Sequence, residues 1–327
     1  MNFDVEGLYD DLESVESYMA AFLPASDEDM KMNEIISAVT EPKGKRFRPL
    51  LLLLAGRMGS GSEKAREVLC QLGACVELIH MASLVHDDIV DDSPLRRGKP
   101  TIQSRFGKDM AVYTGDFILG RVMQVLCRNE LHMYGEIFGR TIEDMCRGEI
   151  GQFNSLFDPD ITIEEYLHHI YGKTVSLFKT ACRCGGIAGG AGEDRVDSLV
   201  SMGEHFGYMF QIRDDLMNII STESKEGKPV SSDFSEGIFT MPVIYAMESP
   251  EYGGRVKELA LRASEGALPE EDMALLISCV RDSGGIRKAE EQMKYHHDLA
   301  LRDIESLPEN STSQAFREML GMLSVTP

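Results

Sequence analysis

From Glu63 to Asp92 the chain runs without a proline, and Val68, Leu72, Val76, Ile79, the small Ser83 and Val90 recur along it at three- and four-residue steps. That period is helical. The apolar residues cover so much of the circumference that such a helix belongs inside a bundle of others. It ends on four aspartates, Asp87, Asp88, Asp91 and Asp92. The same period predicts helices around Val5 to Phe22, Met30 to Ala38, Pro49 to Arg57, Gly115 to Asn129, Tyr134 to Phe153, Ile163 to Ala188, Val196 to Ile220 and Met241 to Met247, with several more beyond Arg255. No alternating Val, Ile and Thr runs are joined by Asn-Gly or Asp-Gly, so strands are not expected. Breaks are read at Ser60-Gly61-Ser62, Asp158-Pro159-Asp160, the glycine cluster Gly185 to Gly192, and Gly227-Lys228-Pro229. With no internal repeat, linker or shift in composition, the expectation is an all-α fold: one domain over residues 1–327, a bundle of about 10–13 helices.

The formal charge of −21 argues against a nucleic-acid binder, which needs Lys and Arg across a broad face. A small anionic ligand needs only a local reversal of sign, and Lys43, Lys45, Arg46 and Arg48 provide one, followed by Arg96, Arg97 and Lys99. The seven cysteines are an odd number without a CxxC pair, so neither a disulfide framework nor a zinc site is expected, and Cys182 and Cys184 read as small residues on a helix. The acidic start lacks the basic region of a signal peptide, and the longest aliphatic run is the five leucines Leu50 to Leu54. A cytoplasmic protein without a transmembrane segment is expected.

Asp87 and Asp91 fall one helical turn apart, as do Asp88 and Asp92 about 100° around. Carboxylates at that spacing suit a hard cation such as Mg²⁺, which combines one or two of them with water and substrate phosphates. A solvated helix end is the plainer reading, but acidic residues near a helix C-terminus oppose the macrodipole. His80 shares the Asp87 face two turns earlier. A second acidic pair, Asp214-Asp215, lies on another predicted helix, and alone it reads as helix surface. The two clusters facing each other across a bundle would hold Mg²⁺ around one diphosphate and neutralise it as a carbon–oxygen bond breaks. Gly172-Lys173-Thr174 imitates the end of a P-loop, but Leu167 stands where that motif needs glycine and the flanks read as helix.

The segment Glu77 to Thr101, with His86-Asp-Asp-Ile-Val-Asp-Asp92 and Arg96-Arg-Gly-Lys-Pro100, resembles the first aspartate-rich motif of the trans-polyprenyl diphosphate synthases, the head-to-tail prenyltransferases. The resemblance continues through Gly44-Lys-Arg-Phe-Arg-Pro49, Tyr113-Thr-Gly-Asp116, Gly148-Glu-Ile150, Lys173-Thr174, Gln211 to Asn218, Gly227-Lys-Pro229, Asp233 and Thr240-Met-Pro242. It implies the type I isoprenoid synthase fold around a central cavity, and a transferase most like the long-chain, heptaprenyl or octaprenyl, members. By position it implies that Lys45, Arg48, His80 and Arg97 bind the diphosphate of isopentenyl diphosphate, and that Arg96 and Lys173 hold an allylic prenyl diphosphate. Asp87, Asp91 and Asp214 would coordinate Mg²⁺, with Asp88 and Asp215 in support, while Thr174 and Gln211 present oxygens to the developing carbocation. A homodimer is implied as well.

Three positions depart from the family pattern: Asn218 replaces a third aspartate of the second motif, Ile238 stands where a lysine is usual, and Ser231 where a glycine is common. A neutral amide at 218 contributes no charge to a metal. These departures give a physical basis to an alternative, a catalytically weak partner subunit of a hetero-oligomeric synthase. A terpene cyclase fits less well, since its second motif needs Ser or Thr at 218 and Glu at 222, where Asn218 and Thr222 stand and Glu223 is out of register. One turn before Asp87 the small Ala82 and Ser83 leave room for a growing chain, and the next positions at that spacing are Ile79, Val76, Cys75, Gly73 and Leu72. A product longer than C20, about C30 to C40, is expected from helix geometry and the resemblance together.

Overall fold

The computed structural model describes residues 3–23, 30–41, 44–128, 130–220 and 232–324. Among them the chain is helical nearly throughout: α1 (Leu8–Phe22), α2 (Met30–Thr40), α3 (Phe47–Gly56), α4 (Glu63–Val90), α5 (Ile102–Phe106), α6 (Lys108–Leu126), α7 (Gly135–Asn154), α8 (Ile163–Ile170), α9 (Ser176–Ala188), α10 (Glu193–Ile220), α11 (Ser232–Ser235), α12 (Met241–Met247), α13 (Gly253–Glu265), α14 (Glu270–Asp282), α15 (Gly285–Glu305) and α16 (Ser311–Gly321). The all-α expectation holds. The described residues carry more helices than expected because α5 and α11 are too short for a period to register, and because a π-helical turn, Tyr171–Val175, separates α8 from α9. One strand pair was not expected: β1 (Leu95–Arg96) and β2 (Lys99–Pro100) form an antiparallel hairpin.

The chain forms two compact units, the first of Met1–Ile142, Leu177–Gly203 and Arg302–Met319, the second of Glu143–Ser176, Glu204–Leu301 and Leu320–Pro327. In the first, α4 is the spine, packed by α1, α3 and α6. Ser62 starts it by accepting the Ala65 N–H at 3.1 Å. Its end is a Schellman cap: Asp92 adopts a left-handed conformation (φ 47°) and donates its N–H to Ile89 O, and Ser93 N–H donates to Asp88 O at 3.0 Å. By length and composition α4 is able to cross a membrane, contrary to expectation, but 78% of its most apolar stretch is buried inside the protein. Leu50 to Leu54 of α3 are all buried. The glycine cluster is only partly a break, because Gly185 and Gly186 lie within α9; a Cβ on Gly185 would come 2.2 Å from Leu52 O, so glycine lets α9 lie against the backbone of α3. Cys182 and Cys184 sit buried on the same helix.

In the second unit α8 packs on the π turn and on α12, and α12 contacts α13 and α14. Thr162 and Glu165 form a capping box that starts α8. Segment Tyr166 to Phe178 is helical throughout, which leaves no P-loop at Lys173.

Candidate functional site

The end of α4 sorts its aspartates by burial. Asp88 is buried and its carboxylate accepts from Arg96 Nε at 2.8 Å, while its carbonyl accepts from Gln103 Nε2 at 2.6 Å. Asp87 and Asp91 remain partly exposed one turn apart, and Asp92 is exposed and paired with Lys108 at 2.8 Å. The ring of His86 lies against α6, where a Cβ on Gly115 would fall 2.2 Å from His86 Nε2; glycine there lets the ring approach Val112 O and Asp116, each at 3.4 Å.

Cations gather beside these carboxylates. Arg48 is buried with its guanidinium 4.3 Å from the Phe178 ring centroid, a cation–π contact. The Arg97 guanidinium rests on the backbone just before Lys45, 3.1 Å from where a Gly44 Cβ would be. Burial, and then Arg48, Arg97, Arg96 and Arg46, hold the His80 imidazole well below its ordinary pKa. Lys45 is exposed, 5.9 Å from the Phe47 ring centroid. Arg46, grouped by sequence with the anion-binding cations, is instead committed to structure: Nη1 meets Glu77 at 2.5 Å and Nε meets Glu16 at 2.6 Å.

The Arg-Arg-Gly-Lys element is the hairpin itself, with Arg96 paired to Lys99 across it. Both turn residues, Arg97 (φ 52°) and Gly98 (φ 75°), are left-handed, as a two-residue primed turn requires. Arg46, Asp92 and Arg97 are three of four non-glycine residues with positive φ among the described residues. Such conformations cost on the order of 1 kcal/mol each and concentrate at functional sites.

The second unit holds the other predicted residues. Asp214 is exposed, with Arg213 Nη1 at 3.9 Å. Asp215 is buried; Tyr166 Oη donates to its Oδ2 and Gln211 Nε2 donates to its Oδ1 at 3.0 Å. Burial is the main cause that pushes the Asp215 carboxyl up to about 7. Thr174 Oγ1 donates to Gln211 Oε1 at 2.7 Å, so this amide oxygen, expected to face substrate, faces Thr174. Lys173 Nζ pairs with Glu149 at 3.0 Å. The π turn carrying Lys173 and Thr174 crosses α7 with Gly172 over Gly148; a Cβ on Gly172 would meet Asp144 O at 2.3 Å, and one on Gly148 would meet Lys173 N at 2.5 Å. Asn218 Nδ2 donates to Asp233, so the amide is matched to a carboxylate that an aspartate at 218 would repel. Ile238 N–H donates to Asp233 O at 2.8 Å. Lys43, Thr222, Glu223, Gly227-Lys-Pro229 and Ser231 lie outside the described residues.

Ala82 is fully buried, and the Ser83 hydroxyl donates to His80 O at 2.9 Å. Gly73 faces α1, 3.0 Å from Val15 Cγ2 to its would-be Cβ. Among the described residues no three His, Cys, Asp or Glu side chains converge into a metal cage. Sequence reasoning missed Tyr166 and Gln103, which secure predicted residues from distant positions that no local pattern flags, and it assigned no role to Glu149 of Gly148-Glu-Ile150.

A polyprenyl synthetase family model matches residues 29–271. The chain belongs to the polyprenyl synthetase family. It is thus a prenyltransferase of the long-chain prenyl diphosphate synthase group. The heptaprenyl diphosphate synthase component 2 of Geobacillus stearothermophilus is 35% identical over 94% of this chain and 97% of its own. The octaprenyl diphosphate synthase of Escherichia coli is 31% identical over 90% of each chain. A polyprenyl synthase structure from Caulobacter crescentus, complexed with calcium and isoprenyl diphosphate, superposes with a TM-score of 0.88 at 25% identity, covering 100% of this chain and 99% of the other.

Proposed function

We propose that this polyprenyl synthetase elongates an allylic prenyl diphosphate with isopentenyl diphosphate, in a Mg²⁺-dependent reaction, to a product longer than C20, about C30 to C40 by helix geometry. The observation that carries the reading is the end of α4, where a partly exposed carboxylate pair adjoins Arg48, Arg96, Arg97 and His80. An apolar bundle that keeps both signs of charge at one helix end is suited to a metal-bound diphosphate.

The donor set fits a hard divalent cation: Asp87 and Asp91 offer carboxylate oxygens one turn apart, no protein cage competes among the described residues, and Mg²⁺ commonly completes its shell with water and substrate phosphate. Asp214 would serve alongside them. Bound there, the metal neutralises charge on the leaving diphosphate. Lys45, Arg48, Arg97 and the His80 N–H bind the diphosphate of isopentenyl diphosphate, and Arg96 and Lys173 hold that of the allylic partner. Asp88 and Asp215 orient these neighbours from buried positions, and Thr174 turns its hydroxyl lone pairs toward developing positive charge, since its proton goes to Gln211. The calcium and isoprenyl diphosphate of the Caulobacter crescentus structure support the ligand classes. Both units act as one catalytic domain, and the protein is a cytoplasmic homodimer whose unpaired cysteines suit a reducing compartment.

The Geobacillus stearothermophilus relative, named as one component of a synthase, favours a second reading in which turnover needs a partner chain. Purified protein given Mg²⁺, isopentenyl diphosphate and farnesyl diphosphate separates the two. Elongation by this chain alone supports the first reading, and elongation only after a second protein is added supports the other. Replacing Ala82 with Phe is expected to shorten the product, measured by mass; an unchanged product would place the growing chain elsewhere.

A further inference from the structure

Tyr166 has no part in the reading above, yet it is buried beside the second acidic pair. It lies one turn into α8, where the capping box fixes the helix start and Tyr166 N–H donates to Thr162 O at 3.0 Å. Its hydroxyl donates to Asp215 Oδ2, which leaves Oδ1 to accept from Gln211 Nε2 at 3.0 Å. With its amino group turned to Asp215, the Gln211 amide has only its oxygen for Thr174, and Thr174 is thereby fixed as the donor at 2.7 Å. While Asp215 is ionised, each bond in this series has one permitted direction, because an acceptor-only carboxylate then sits at its centre. The far end of the series is the Thr174 oxygen, whose lone pairs are left outside the relay.

We infer that Tyr166 is a positioning residue for prenyl transfer, acting through Asp215 and Gln211 to hold the Thr174 oxygen toward a substrate carbon that becomes positively charged. The inference rests on the role proposed above for Thr174. Tyr166 itself touches no substrate. Without its hydroxyl the Asp215 carboxylate is free to rotate, the Gln211 amide is free to flip, and a flipped amide would donate to Thr174 and occupy the lone pairs it should present. Hydrogen bonds that direct an oxygen at a charge in a buried setting are worth more than average, so the loss is expected to be large enough to measure.

The test uses the full chain and two probes that need no turnover. One is a prenyl diphosphate analogue in which an ammonium nitrogen replaces the carbon that becomes cationic; the other is a thiolodiphosphate of the same length, which carries the diphosphate but no cationic centre. Binding of each, with Mg²⁺ present, is measured by calorimetry for wild type, Tyr166→Phe, Thr174→Val and the double variant, with Thr174→Ser as the variant that restores a hydroxyl. The expected result is about a tenfold loss for the ammonium probe in either single variant. The double variant should lose no more than either single one, Thr174→Ser should be near wild type, and the thiolodiphosphate should bind all variants alike. Losses that multiply in the double variant, equal losses for both probes, or no loss in Tyr166→Phe would each overturn the inference. Failure of the proposed reaction is read separately, as absence of elongation by the wild-type chain.

Discussion

The two acidic segments share a plan and differ in how it is carried out. Each holds one aspartate buried and tied, Asp88 or Asp215, and keeps others near solvent, Asp87 and Asp91 or Asp214. Asp88 is held by a cation, Arg96, with Gln103 bracing the backbone. Asp215 is held by two neutral donors, Tyr166 and Gln211. An ion pair compensates charge as well as hydrogen bonding, whereas neutral donors leave most of the desolvation in place, which is why burial drives the Asp215 carboxyl up to about 7. Asp88 therefore has its charge matched by a partner in the chain, whereas Asp215 is held by hydrogen bonds from neutral groups.

The comparison is broken first at the exposed carboxylates. Asp87→Ala is expected to lower kcat on the order of 10³-fold, and Asp214→Ala by less, about 10²-fold, because one charge-stabilising group in a water-poor site is worth that much. Steady-state kinetics at saturating Mg²⁺ checks the order. An Asp214 loss exceeding the Asp87 loss would reverse the ranking of the two segments.

The buried partners come next. Arg96→Met leaves Asp88 without its cation and should cost about 3 kcal/mol of stability, near the low end for a broken buried pair because the Arg96 side chain is 30% exposed. Tyr166→Phe removes one neutral hydrogen bond and should cost about 1 kcal/mol. Urea denaturation of both variants distinguishes them, and equal losses would erase the distinction between charged and neutral partners.

A finer measurement follows the Asp215 proton. Its folded pKa, about 7, lies above the ordinary 3.8, so the folded chain binds more protons than the unfolded one between those values. The contribution to stability is present below about pH 4 and is lost as pH rises through 7. In metal-free buffer the wild type should lose stability relative to Asp215→Asn between pH 6 and 7.5 by at most about 1.4 kcal/mol per pH unit, and added Mg²⁺ should reduce that slope. Parallel pH profiles would remove the claim that Asp215 is poised near neutrality.

Much of this was legible in sequence because it depends on local spacing. The α4 period and the aspartates one turn apart are local patterns, and the structure places a helix there. What was illegible depends on residues far apart in the chain. The glycines at 185 and 186 read as a break, but they sit inside α9 because α3 approaches its backbone. The primed turn at Arg97 carried no Asn-Gly signal, since an arginine occupies a left-handed position that local preference disfavours. Arg46 read as part of the basic cluster beside Arg48, although Glu16 and Glu77, 30 and 31 residues away, already neutralise it. Asn218 read as a lost metal charge, and Asp233 beside it supplies a structural reason for the amide.

The mass of the product made by the purified chain from farnesyl diphosphate, isopentenyl diphosphate and Mg²⁺, with no second protein present, tests the central claim most directly. A Mg²⁺-dependent prenyl diphosphate of about C30 to C40 is the predicted result, in keeping with the small Ala82 and Ser83 one turn before Asp87. A product of C20 or shorter, or no product until another chain is added, would contradict it.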